Sequence, residues 1–113
     1  IQLDVENFLL SLPLHEELKN EYQVDWYAID CAFPLAKLAI EVQGTFFHID
    51  PRVYPNGPQN AIQRRNFGRD KRKKEHLEKL GWTILPLWET EIRSGVYKEE
   101  LLCKLKEFNL LKA

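Results

Sequence analysis

Two short, mostly apolar runs, Ala28–Phe33 and Leu38–Gln43, carry Asp30, Glu41 and Gln43 and dominate the pattern of this chain. Strand side chains alternate faces with period two, so the runs predict a β-hairpin over roughly residues 24–44. On the first run Ala28, Asp30 and Ala32 share one face, and Ile29, Cys31 and Phe33 share the other. On the second, Ala39, Glu41 and Gln43 share a face opposite Leu38, Ile40 and Val42. Pro34 suits the second position of a turn through Phe33-Pro34-Leu35-Ala36. Pairing Phe33 with Leu38 then sets Asp30 directly opposite Glu41.

Helical spacing appears on both sides. Val5, Phe8, Leu9 and Leu12 predict a helix over 4–12, capped by Asp4 and ended by Pro13, with a short second helical turn in 14–21. Residues 49–59 hold three prolines and an Asn-Gly, which predicts a loop. A helix of about 60–80 follows, with Ile62, Phe67, Leu77 and Leu80 as a sparse apolar stripe and Gly81 as its stop. The run Trp82–Trp88 predicts a buried strand, held to an edge position or a bulge by Pro86. A last helix over 95–108 would bury Leu101, Leu102, Leu105 and Phe108. This order predicts an α/β fold, a mixed sheet flanked by helices.

At 113 residues the whole chain is expected to be one domain, and its start at Ile1 reads as a piece of a longer polypeptide. No apolar run reaches the roughly 18 residues of a membrane span, and no signal peptide is present. The expectation is a cytoplasmic protein without a membrane partner. Cys31 and Cys103 are too isolated for metal-ligand spacing, so no structural zinc is expected.

The net charge of −1 hides a division. Residues 1–50 hold nine acids and two bases, whereas residues 51–80 hold nine bases and three acids. Carboxylates for a cation beside bases for a polyanion suit a metal-dependent phosphodiesterase. Ordinary solvated faces account for the same charges. Like charges in a cross-strand pair destabilise a sheet, and a divalent cation between Asp30 and Glu41 would compensate. His48 can exchange a proton near neutral pH. Arg64, Arg65, Arg69, Lys71, Arg72, Lys73 and Lys74 point to phosphate contacts that carry affinity without sequence readout.

Several short strings occur in a telling order: Glu6 on the first helix, Asp30 in the hairpin, Glu41-Val42-Gln43-Gly44, then Phe46-Phe47-His48. Arg69-Asp70, Leu80-Gly81-Trp82 and Trp88-Glu89 follow. Together they resemble the very-short-patch-repair branch of the PD-(D/E)XK nucleases. Within that branch the chain most resembles the homing endonucleases described by an E-D-x-H-D pattern. The resemblance spans roughly residues 5–92. It implies a restriction-endonuclease-like fold and the catalytic domain of a metal-dependent DNA endonuclease. Asp30 would bind the metal, with Glu41 and Glu6 completing its shell; the cation would be Mg2+, or another divalent ion such as Mn2+. His48 would act as base, Glu6 would reach into the same site, and Asp70 would join it from the basic helix. Phe46 and Phe47 would approach the base stack of double-stranded DNA. A separate DNA-recognition module outside this segment and a homodimer are compatible with that picture.

The chain also departs from the pattern. Gln43 stands where the family carries its hallmark lysine; an amide there can orient a water or a phosphate oxygen. Thr90 follows Glu89 where the mismatch-repair enzymes carry a cysteine, so their zinc site is not expected. Two alternatives stay open: a mismatch-specific nicking endonuclease, and a DNA-binding domain that has lost catalysis.

Overall fold

The computed structural model describes residues 1–112. In chain order the elements are α1 (Gln2–Leu10), β1 (Lys19–Val24), β2 (Tyr27–Phe33), β3 (Leu38–Gln43), α2 (Ala61–Lys79), β4 (Thr83–Trp88), α3 (Glu89–Ser94) and α4 (Tyr97–Glu107). They form a mixed α/β fold with one four-stranded sheet in the order β1-β2-β3-β4. The first three strands are antiparallel neighbours, and α2 carries the chain over to β4, which runs parallel to β3.

The sheet separates two cores. On one side Val5 and Leu9 of α1, Ile92 of α3, and Tyr97, Leu101 and Leu105 of α4 pack on Cys31, Phe33, Leu38, Ile40, Leu85 and Leu87. On the other, Leu77 of α2 and Trp82 pack on Ile29, Ala32 and Ala39. The alanines let α2 approach the sheet closely. β4 pairs on one side only, so Pro86, which lacks an N–H, is tolerated opposite Glu41.

The hairpin pairs Phe33 with Leu38, as the turn chemistry predicts. Its alternation breaks at Asp30. Ile29 was expected to share a face with Cys31 and Phe33, but it packs with Ala32 beneath α2. Glu21 faces this break on β1, between the pairs Asn20↔Cys31 and Tyr22↔Ile29, in a left-handed conformation at φ 49°. The irregularity frees Asp30 from the regular ladder.

Three further expectations are corrected. The first helix begins at Gln2 with Ile1 as its N-cap, so Asp4 lies in its first turn and complements the helix dipole. Residues 14–21 form no helix: Leu14 bridges Leu111, His15 N–H donates to Leu110 O, and β1 starts at Lys19. Both pairings come from distant segments, so local propensity had no hold on them. The helix expected over 95–108 is α4, and a short helix that was not expected, α3, precedes it and ends at Gly95 with φ 86°. Of the expected apolar stripe, Ile62 and Phe67 of α2 and Leu80 at its C-cap are exposed, and the buried positions of α2 are Gln63, Asn66 and Leu77.

Candidate active site

A cleft of about 520 Å³ opens between α2 and the carboxyl ends of β3 and β4. Open α/β sheets commonly bind ligands at that end of their parallel strands. Asp30, Glu41 and Gln43 line it from the sheet, His48 from the loop after β3, and Asp70, Lys71, Lys73 and Lys74 from α2. Phe67, Pro86 and Trp88 add apolar wall.

At its floor, β2 and β3 are joined by side chains where the ladder stops. Asp30 Oδ2 accepts from Val42 N–H at 2.8 Å, and Asp30 N–H approaches Glu41 Oε2 at 3.5 Å. Glu41 is 6% exposed. Lys73 reaches down from α2, its Nζ 2.5 Å from Glu41 Oε1 and donating to Ala28 O at 2.6 Å. The contact with Glu41 is one of charge: Oε1 is buried and receives no aligned hydrogen bond. Burial pushes the Glu41 carboxyl up to about 7; Lys73 opposes the rise and Asp30 adds to it.

His48 Nδ1 lies 2.6 Å from Asp70 Oδ2, both side chains partly buried. A carboxylate at Nδ1 favours the tautomer with its proton there, leaving Nε2 as acceptor. Among the described residues, Nε2 has no hydrogen-bond partner. The loop holding His48 is pinned at several points. His48 N–H donates to Gly44 O, and Asp50 N–H donates to Thr45 O, each at 3.1 Å. The fully buried Asp50 takes a two-pronged hydrogen bond from Arg52 at 2.7 and 3.0 Å, which holds its carboxyl below the usual range. Glu89 of α3 accepts from Thr45 N–H at 3.2 Å, and Gln63 of α2 donates to Phe46 O at 3.0 Å.

The cleft thus gathers Asp30, Glu41, Gln43, His48, Asp70, Lys71 and Lys73 from the sequence-derived candidates. Glu6 does not line it. α1 packs on the opposite face of the sheet, and Glu6 lies near the buried Cys31, whose thiol is pushed up to about 12 by burial and then by Glu6, Asp30 and Glu41. Gln2, one turn before Glu6, reaches the cleft instead. Arg64, Arg65, Arg69 and Arg72 lie outside the lining on exposed positions of α2. Phe46 and Phe47 form an exposed edge-to-face pair, ring centroids 5.1 Å apart, also outside the lining. Phe67 lines the cleft, although its spacing marked it for the core.

Two adjacent carboxylates, the buried one already facing the Lys73 ammonium, fit a hard divalent cation that keeps several of its waters. Among the described residues no group of three or more His, Cys, Asp or Glu side chains could hold a metal, so the fit rests on this pair alone. No family model, curated protein or solved structure matches the chain.

Proposed function

We propose that this chain is the catalytic domain of a metal-dependent DNA endonuclease with a restriction-endonuclease-like core, acting in a site-specific homing enzyme. The observation that carries the reading is the meeting, in one cleft, of the Asp30–Glu41 pair, the ammonium of Lys73 and the His48–Asp70 dyad. Asp30 and Glu41 would hold Mg2+ or Mn2+, which supplies charge stabilisation at phosphorus when bound. The other roles belong to the chain. Asp70 orients the imidazole, and His48 Nε2 takes a proton from the attacking water. Lys73 supplies at the acids the positive charge that Gln43 lacks, and it can turn to a phosphate oxygen without leaving α2. Lys71 and Lys74, exposed at the cleft, hold the backbone of double-stranded DNA.

One observation favours a second reading. Lys73 already neutralises Glu41 in part, and among the described residues no third carboxylate joins the pair, which suits a DNA-binding domain without catalysis. Incubation with supercoiled plasmid in Mg2+, with a chelator control, separates the two. Nicked or linear product only in Mg2+ supports the nuclease. Intact plasmid together with tight duplex binding supports the binding domain. Preferential cutting of a T·G-mismatched duplex would transfer the reading to mismatch repair.

A further inference from the structure

Of the three tryptophans, Trp82 is buried and Trp88 lines the cleft, but Trp26 is 73% exposed. Trp26 and Asp25 make the tight turn between β1 and β2, with Asp25 in the left-handed region at φ 54°. The turn does not leave the indole loose. Its ring centroid lies 5.0 Å from that of His76 on α2 and 5.7 Å from that of Tyr27. His76 is fixed in turn: its ring lies 5.4 Å from Tyr27, and its Nε2 lies 2.7 Å from Asp25 Oδ2. The indole is therefore backed by aromatic rings and open to solvent over most of its surface. A large apolar side chain held in place yet left exposed is the informative kind of surface feature.

The position of this cluster indicates what covers it. His76 lies one turn after Lys73 on α2, and Lys73 is anchored on Ala28 O, two residues beyond Trp26. The aromatic cluster therefore adjoins the cleft wall. From Arg64 to Lys79, α2 carries eight bases against three acids, and the nearest acid of the turn, Asp25, is paired with His76. A polyanion lying along α2 suits this charge. A flat ring with an open π-face suits a nucleobase, but only one that is out of the stack, since a paired base in continuous duplex hides its faces.

We propose that Trp26 is a stacking platform for an unpaired base beside the cleft. The substrate class is then DNA carrying a locally single-stranded nucleotide. The proposal rests on the nuclease reading of the cleft. It is tested by measuring binding of the whole chain to three labelled probes: a blunt duplex, the same duplex with a short single-stranded tail, and that tail made abasic. The parent should prefer the base-bearing tail to the abasic one. Trp26→Ala and Trp26→Leu should lose that preference, with affinity for the base-bearing tail falling by roughly 5- to 100-fold. Trp26→Phe should keep most of it, and blunt and abasic probes should bind all variants alike. Equal loss on all three probes would overturn the platform while leaving DNA binding intact. Leucine performing as well as tryptophan would also overturn it, marking an apolar contact of the kind a protein partner makes. Failure of the parent to bind any probe would remove the nuclease reading along with the platform.

Discussion

Glu41 and Lys73 form the chemical centre of the cleft, and their pairing has a consequence for stability. The folded state holds the Glu41 carboxyl up to about 7, against an ordinary value of 4.5, because burial disfavours its charge more than Lys73 favours it. Below 4.5 both folded and unfolded chains carry the proton. Between 4.5 and 7 the folded chain binds more protons, so stability falls as pH rises through this window and levels off above it. Glu41→Gln should remove the decline, a difference on the order of 3 kcal/mol between the two ends of the window. Urea melts of both proteins in chelator, below and above the window, measure it, and parallel pH curves would contradict the assignment. At His48 the expectation is kinetic. His48→Ala should slow single-turnover cleavage by roughly 10²–10⁴-fold with DNA affinity little changed. A loss of affinity at an unchanged rate would reassign His48 to binding. The adjacency of Asp30 and Glu41 was legible in the sequence, because a proline turn sets the register from Phe33 and Leu38; the break of period two at Asp30 was not. Lys73 was legible only as one base among many. Its reach to Glu41 depends on how α2 is rotated over the sheet, and that is set by Leu77 packing against Ile29, Ala39 and Trp82.

The basic helix α2 sorts its charges by geometry. Lys71, Lys73 and Lys74 line the cleft, while Arg64, Arg65, Arg69 and Arg72 do not. The double change Lys71→Ala with Lys74→Ala should therefore weaken binding to every duplex and lower the salt slope by about two. The double change Arg64→Ala with Arg65→Ala should do less. Affinity and its salt dependence, measured on duplexes of unrelated sequence, test this; selective loss on one sequence would show that α2 reads bases. The loop after β3 depends on a different pair. Arg52→Ala would strip the buried Asp50 of its charged partner and should cost about 1.5–3 kcal/mol. Cleavage should fall with it, as His48 loses its fixed position. Full activity despite that loss of stability would show that His48 is positioned by other contacts. The central elements were legible because each carries its own signal: an alternating run, a proline turn, a capped polar helix. β1 and α3 were not. The polar run Lys19–Val24 is a strand because β2 pairs with it, and α3 begins at the very end of β4, where no turn residue marks a boundary.

The molecule as a whole places its chemistry where its two halves meet. The larger core, with α1, α3 and α4, holds one face of the sheet and keeps Glu6 on that side. α2 covers the other face and closes over the ends of β3 and β4 to make the cleft. The general class, a mixed sheet between helices, was readable from element order; which acids share a cavity was not, because that depends on which face each helix covers. In the proposed reaction Asp30 and Glu41, served by Lys73 and the His48–Asp70 dyad, cut DNA with the help of a divalent cation. The most direct test is single-turnover cleavage of duplex DNA by the parent and by Asp30→Asn, each in Mg2+ and in chelator, with circular dichroism confirming that both are folded. Product is expected from the parent in Mg2+ alone, and none from Asp30→Asn under either condition. Cleavage by folded Asp30→Asn at the parent rate, or by the parent in chelator, would contradict it.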